Sequence, residues 1–394
     1  MPKQTPLPFP GADPDGDARR PAADTEAVAD AAADAALPVP PAGEPLATPD
    51  ERVAAAVIAP EPLAWHDAEP LAEAADHPSP AEPRAGAGQF EPGSTLKPFL
   101  YGMALDDGLI HSESLLIDAP QSFGGYRPGN FDAAFNGPIG AAEALRLSLN
   151  VPAVDLLDRV GPGRFSARLA NSGLELKYPR GAQPNLSLIL GGTGARLEDL
   201  VGAFAAFNRD GLSGRVRYTA ADPSLDRRLL SPGAAWIVRE MLEANPRPGY
   251  GMGAFDTGSR PRVAWKTGTS YGFRDAWAIG GTRLYTVGVW VGRPDGTPLP
   301  GQYGAVTALP LMFEVIDSLP RMRGDAVSRP PPASVAQAEI CWPLGVPPES
   351  EAPGLCQRRM QAWTLGGAIP PTFAERDARL WNAGRERFQM DAKT

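Results

Sequence analysis

Three short motifs of polar residues restrict what this chain of 394 residues can fold into more than any other feature. They are Ser94-Thr95-Leu96-Lys97, Ser148-Leu149-Asn150 and Lys266-Thr267-Gly268, in that order. The chain has 37 lysines and arginines, of which only five are lysines, and two of those five lie in these motifs. Arginine keeps its proton at any ordinary pH, so it cannot replace an amine that must gain and lose one. The motifs therefore indicate a site that uses lysine chemistry.

Each motif alone is weak evidence for such a site. A Ser-x-x-Lys is often one face of a helix, a Ser-x-Asn is often a turn or a cap, and a Lys-Thr-Gly is often the end of a strand. The combination in this order is a far stronger signal, because a single fold has to bring all three together.

The composition predicts three regions along the chain. Residues 1–90 contain 25 Ala and 17 Pro, and such a segment cannot bury enough apolar surface to offset the entropy of ordering it. We therefore predict disorder there, with an apolar run at residues 53–58 as the only sign of order. Residues 91–323 have the texture of a globular domain, and residues 324–394 are predicted to be a linker and the start of a further domain.

Charge and hydropathy exclude several classes of function. The net charge of −9 and the absence of a basic cluster argue against a nucleic-acid partner. No apolar run is long enough for a membrane span, and the amino terminus lacks the apolar stretch of a secretory signal. Taken as written, the sequence predicts a cytoplasmic chain. Two of its three histidines lie before residue 91 and it has no Cys/His cluster, so we expect neither a metal nor another cofactor.

Apolar spacing predicts a helix at the first motif. Leu96, Phe99, Leu100 and Met103 follow Ser94 at helical intervals, and Pro98 is tolerated only near a helix start. Ser94 and Lys97 would then lie one turn apart on the same side. Further helices are predicted at residues 141–149, with Ser148 at the end, and at 197–207, 231–241 and 307–319.

The third motif is predicted to lie in a β-meander. Residues 262–267, 275–281 and 284–292 read as three antiparallel strands, with a tight turn at 280–283. Lys266 would project from the first of them toward the helix that carries Ser94.

These residue types suit acyl transfer through a serine. Ser94 needs a nearby base to become a nucleophile, and a desolvated Lys97 can take its proton. Lys266 would lower the pKa of Lys97 and attract a substrate carboxylate. Ser148 suits a proton relay, and Asn150 a hydrogen-bond clamp on Lys97 or on the substrate amide.

The segment after Lys266 is predicted to bind the substrate carboxylate and to contribute to the oxyanion hole. The hydroxyls of Thr267 and Thr269, on either side of Gly268, suit a substrate carboxylate. The backbone N–H groups of Ser94 and Thr269 are predicted to form the oxyanion hole.

Three segments resemble the transpeptidase domain of class A penicillin-binding proteins: residues 92–109 (PGSTLKPFLYGMALDDGL), 147–157 (LSLNVPAVDLL) and 265–273 (WKTGTSYGF). Residues 341–345 and 362–365 resemble a linker that follows this domain in some members. The resemblance implies the α+β fold of serine β-lactamases and penicillin-binding transpeptidases, an antiparallel sheet flanked by helices. It also implies acylation of Ser94 by D-Ala-D-Ala stem peptides of peptidoglycan, covalent inhibition by β-lactams, and a periplasmic location.

The sequence departs from this family pattern ahead of Ser94. The membrane anchor, the glycosyltransferase domain and the first two strands of the sheet have no visible counterpart. Their loss would leave residues 284–292 as an exposed apolar sheet edge. We therefore predict a fragment in which residues 1–90 are unrelated to the family.

Several alternatives remain open at this stage. A class A β-lactamase would need a Glu followed four residues later by Asn, and no such pair occurs between Val151 and Trp265. A D-Ala-D-Ala carboxypeptidase differs only in its acceptor, and an inactive remnant would keep the motifs without the activity. Cys341 and Cys356 can be a disulfide or two free thiols.

Overall fold

The computed structural model describes residues 52–58, 90–217, 222–224, 226–248, 260–321, 326–343, 345–348 and 356–370. The strands are β1 (Arg52–Ile58), β2 (Leu115–Asp118), β3 (Gly137–Gly140), β4 (Leu212–Gly214), β5 (Asp226–Arg228), β6 (Ala264–Thr269), β7 (Asp275–Gly281), β8 (Thr286–Gly292), β9 (Val335–Trp342) and β10 (Arg358–Leu365). The α-helices of this part of the chain are α1 (Lys97–Asp106), α2 (Ala141–Arg146), α3 (Asn150–Val160), α4 (Pro162–Asn171), α5 (Leu197–Phe204), α6 (Pro232–Glu243) and α7 (Ala308–Ser318).

Helix α1 lies at the centre of the main hydrophobic core. Every residue from Lys97 to Leu105 is buried, because the helix packs between α3 and α6. A helix that is apolar around its whole circumference needs such cover on all sides. The first turn of α1 is therefore a rigid position from which to present a reactive group.

The central sheet has the strand order β1-β8-β7-β6, and all its pairs are antiparallel. Both faces of β7 and β8 are buried, since α7 packs on one face and α5 on the other. Strand β6 is an edge strand, and it lies against the turn that precedes α1. This edge brings the third motif to the first.

The predicted meander and most predicted helices are confirmed, with two local differences at the site. Ser94 lies in a 3-10 turn, Gly93–Leu96, and the α-helix begins only at Lys97. Helix α2 ends at Arg146, so Ser148 is not helical as predicted but has a left-handed backbone with φ of 61°. The chain has to reverse there before α3 begins at Asn150.

The predicted disorder of residues 1–90 is wrong at Arg52–Ile58. This segment forms β1, which pairs along β8 from Arg52 opposite Gly292 to Ile58 opposite Thr286. The edge of β8 that was predicted to be exposed is therefore covered, and at least one of the two strands predicted to be missing is present. Alanine has low strand propensity, so the run RVAAAVI gave little local signal and its partner strand decides the conformation. The sequence predicts no strand between Ala55 and Phe90; for the second strand this stays a prediction, since residues 59–89 lie outside the described part.

The carboxy-terminal part forms a hairpin against the main domain. Strands β9 and β10 pair antiparallel, and a disulfide joins Cys341 to Cys356 beside them. His111 lies buried under this hairpin, with Nε2 2.7 Å from the carbonyl oxygen of Gly345. Among the helices described, none combines the length and the apolar character that crossing a membrane requires.

Candidate active site

The turn that carries Ser94 is pressed against the backbone of β6. A Cβ on Gly93, which has a φ of +54°, would lie 2.8 Å from the nitrogen of Thr269. A Cβ on Gly268 would lie 2.3 Å from the carbonyl oxygen of Pro92. Only glycine permits both approaches. They place the Thr269 N–H beside the residue that precedes Ser94.

Polar anchors below this turn hold it to the sheet. Trp277 Nε1 donates to the carbonyl oxygen of Glu91 at 2.8 Å, and the Glu91 N–H donates to Asp275 Oδ2 at 3.3 Å. Asp275 Oδ1 accepts from Trp290 Nε1 at 2.9 Å. The two hydrogen bonds to Glu91 fix the segment that leads to Ser94. Burial raises the pKa of both the Glu91 and the Asp275 carboxyl groups.

Lys97 is fully buried and held by two acceptors. Its Nζ donates to the carbonyl oxygen of Ser148 at 2.5 Å and to Asn150 Oδ1 at 2.7 Å, with Ser148 Oγ at 3.5 Å. A neutral amine has two N–H bonds and one lone pair, so two acceptors occupy both N–H bonds. Side chains at positions i and i+3 of a 3-10 turn eclipse each other, which places Lys97 on the side of Ser94.

Lys266 reaches the same serine from the sheet. Its Nζ donates to Ser148 Oγ at 2.7 Å and to the carbonyl oxygen of Thr267 at 2.9 Å. Ser148 thus joins the two lysines, because its carbonyl binds Lys97 while its hydroxyl binds Lys266. The left-handed backbone of Ser148, which is unusual for a residue other than glycine, aims both groups inward.

Burial changes the proton affinity of both amines. It lowers the pKa of Lys97 well below the usual lysine range; the neighbouring charge of Lys266 lowers it further, and the Asp118 carboxylate opposes both effects. Burial also lowers the pKa of Lys266, to about 7. Near neutral pH the pair can therefore hold one amine neutral and the other charged.

The threonines that flank Gly268 lie on the other face of β6 from Lys266 and are half-buried. Thr269 Oγ1 accepts from the Gly304 N–H at 3.1 Å. A hydroxyl that accepts one hydrogen bond can still donate its own proton. The half-buried Thr269 hydroxyl can therefore still donate to a ligand.

The segment between β2 and β3 contributes residues that the sequence motifs did not reveal. Asn130 Oδ1 accepts from the Asn150 N–H at 2.8 Å, and the Asn130 amide donates to the buried carboxylate of Asp118. Phe131 packs on Phe273 and Tyr303 from the sheet side, with ring centroids 5.9 and 5.7 Å apart. The sequence signal was only a run rich in Gly, Asp, Asn and aromatics, which reads as a long loop.

Of the predicted site residues, Lys97, Ser148, Asn150 and Lys266 form one hydrogen-bonded cluster. Ser94 precedes Lys97 by three residues, and the segment from Thr267 to Thr269 lines the facing sheet edge. The structure brings all the motifs to one cleft. No group of three or more potential metal ligands occurs among the residues described.

Comparison with known proteins places this cleft in a family. The model of the penicillin-binding protein transpeptidase domain matches residues 55–292, and that of the penicillin-binding protein 1C linker domain matches residues 334–364. The first match begins within β1. The second covers the β9–β10 hairpin.

Individual relatives agree with these matches. Penicillin-binding protein 1C of Escherichia coli (strain K12) is 52% identical over 288 residues, which are 72% of this chain and 36% of that protein. Penicillin-binding protein 1F of Bacillus subtilis (strain 168) is 31% identical over 51% of this chain and 30% of its own length. The chain thus spans about a third of these relatives.

Two solved structures share the fold at low sequence identity. PonA1 of Mycobacterium tuberculosis aligns with a TM-score of 0.55 and 21% identity, covering 72% of this chain and 85% of that one. Penicillin-binding protein 1A of Haemophilus influenzae aligns with a TM-score of 0.54 and 19% identity, covering 72% and 48%. With a family model that matches more than half of its length, the chain belongs to the penicillin-binding protein transpeptidase domain family.

Proposed function

We propose that this domain is a peptidoglycan D,D-transpeptidase that works through an acyl-enzyme on Ser94. The observation that carries the proposal is the buried cluster in which Ser148 joins Lys97 to Lys266, one turn after Ser94. The cluster supplies an amine with a lowered pKa three residues after Ser94, and such an amine can activate a serine nucleophile without histidine.

In the first step Lys97 Nζ takes the Ser94 Oγ proton while Oγ bonds to the carbonyl carbon of the penultimate D-Ala. The backbone N–H groups of Ser94 and Thr269 stabilise the oxyanion of the tetrahedral intermediate. The C–N bond then breaks, and the terminal D-Ala leaves as an amine after receiving a proton that passes from Lys97 through Ser148 Oγ.

In the second step the amine of a neighbouring stem peptide attacks the Ser94 ester. The attacking amine loses a proton to Lys97, the C–O bond breaks, and Ser94 Oγ regains its proton. Over the two steps, the amide bond to the terminal D-Ala is replaced by an amide bond to the neighbouring stem peptide, with no net gain or loss of protons. Water in place of the amine would give a carboxypeptidase, which product analysis with an added amine acceptor distinguishes.

Residues on the sheet side of the cleft bind the terminal carboxylate of the stem peptide that donates the acyl group. Lys266 supplies the charge, and the hydroxyls of Thr267 and Thr269 supply hydrogen bonds. A β-lactam presents the same carboxylate and a strained amide, so it would acylate Ser94 and remain there. A PonA1 structure holds penicillin V, which supports this choice of probe.

Intact-mass spectrometry with penicillin V tests the proposal. We expect the parent chain to gain the mass of one penicillin molecule, since ring opening adds the drug without loss of atoms. Ser94→Ala should gain none, whereas Ser318→Ala, at the end of α7 and outside the site, should behave as the parent. An adduct that persists in Ser94→Ala would overturn the assignment of the nucleophile, and a parent chain that stays unmodified would overturn the function.

A further inference from the structure

The amide of Asn150 can serve Lys97 in only one orientation. Its Oδ1 accepts from Lys97 Nζ at 2.7 Å, while its Nδ2 donates to the carbonyl oxygen of Gly129 at 2.7 Å. A carbonyl oxygen can only accept, so the Gly129 oxygen keeps Nδ2 on its side and Oδ1 on the side of the lysine. Were the amide reversed, Nδ2 would donate to the lone pair of Lys97 and block the base.

A second side-chain amide, that of Asn130, holds the backbone of Asn150. Asn130 Oδ1 accepts from the Asn150 N–H at 2.8 Å, which anchors the first residue of α3 to the neighbour of Gly129. The Asn130 Nδ2 faces acceptors alone: the two oxygens of Asp118, at 2.8 and 2.9 Å, and the carbonyl oxygen of Ala134, at 2.8 Å. This amide is therefore also fixed in one orientation, because a reversal would set oxygen against oxygen.

The chain of hydrogen bonds ends on a buried carboxylate. Asp118 is fully buried at the end of β2, and it also accepts from the backbone N–H and the Nδ2 of Asn136, at 2.8 and 2.9 Å. A buried charge held by several donors is a rigid end point. In each hydrogen bond of the chain between Asp118 and Lys97, the donor and the acceptor are fixed.

We propose that Asn130 is a positioning residue that fixes the orientation of Asn150 and thereby the direction of the Lys97 lone pair. The inference rests on the function proposed for Ser94 and extends it to a residue outside the three motifs. The charged groups that act on Lys97 are Lys266 from β6 and Asp118 from β2, and Asn130 lies in contact with the second of these.

The test measures acylation by penicillin V over a range of drug concentrations and pH, which separates the acylation rate constant from the binding constant KI. Asn130→Ala should lower the rate constant about 10- to 100-fold, the size of effect that a misplaced catalytic group produces, and change KI little. The acid limb of its pH profile should move to lower pH, because the Lys97 ammonium loses an acceptor that stabilises it.

Asn136→Ala is the matched control. It also removes a side-chain hydrogen bond to Asp118, but within the described residues no hydrogen bond joins Asn136 to Asn150. Its rate constant should therefore stay within about threefold of the parent, under 1 kcal/mol. Rates are normalised to the fraction of chains that saturating drug acylates, which removes differences in folding. If Asn130→Ala does not fold, Asn130→Ser carries the same expectation.

Two results would overturn the inference while leaving the proposed function in place. One is an Asn130→Ala protein with the parent's rate constant and pH profile. The other is an equal loss in both asparagine variants with no movement of the acid limb, which would mean that the two residues only hold the segment together. A parent chain that penicillin does not acylate would overturn the function and this inference together.

Discussion

The two sides of the cleft each hold a buried lysine, but in different surroundings. On the helical side Lys97 has no exposed surface and is held by fixed acceptors that end in the Asp118–Asn130–Asn150 chain. On the sheet side Lys266 lies on an edge strand, bonded to Ser148 and to its own neighbour's carbonyl. Burial lowers the pKa of both: well below the usual lysine range for Lys97, and to about 7 for Lys266.

This difference supports the proposed roles of Lys97 as base and Lys266 as anion binder. An amine whose N–H bonds are both held can offer its lone pair in one direction, as a base must. An amine that titrates near neutral pH is brought back to its charged form by an arriving carboxylate. Two identical side chains are thus given different protonation states by their surroundings.

Removal of the amine on the helical side should have the largest effect. In Lys97→Met the acylation rate constant is expected to fall about 10²- to 10⁴-fold, the usual contribution of a general base. Lys97→Arg should fall as far, since a guanidinium stays protonated. Stopped-flow acylation with penicillin V measures both, and a Lys97→Arg protein within tenfold of the parent would contradict the role of the base.

Removal of the amine on the sheet side should have a smaller effect, mainly on binding. Lys266→Met is expected to raise KI for penicillin V about 10- to 100-fold, the value of one hydrogen bond to a charged group. Lys266→Arg keeps the charge and should recover most of that affinity. The comparison of the two sides would fail if Lys266→Met changed only the rate constant, or if Lys266→Arg bound no better than Lys266→Met.

The sequence predicted the parts of the site whose chemistry demands particular residues. Lysine at positions 97 and 266 is evident because arginine cannot replace an ionising amine, and the Tyr-, Val- and Trp-rich run that became β8 carries a strong strand pattern. Asn130 and Asp118 were missed, since a polar residue in a loop or at a strand end shows no periodicity and its role depends on contacts across 20 and 12 positions. The left-handed backbone of Ser148 was missed because the sequence at the end of a helix looks the same as the sequence at a chain reversal.

The two edges of the central sheet show the same limit. Strand β6 was predicted at residues 262–267, and the structure has it two residues later, at Ala264–Thr269. Strand β1 is an alanine-rich run whose conformation depends on its pairing with β8, a partner more than 200 positions away (286 minus 58 is 228). Local propensity cannot register such pairing, so the predicted absence of a strand beside β8 was wrong for β1.

The most direct test of the account is the pH dependence of acylation by penicillin V, measured as the second-order rate constant. Acylation requires neutral Lys97, so the constant should rise with pH through a pKa well below the usual lysine range. It should fall again above about pH 7 as Lys266 loses its charge, and Lys266→Arg should remove that fall. A constant that instead keeps rising to about pH 10, where an ordinary lysine loses its proton, would contradict the claim that burial and the fixed acceptors make Lys97 the base.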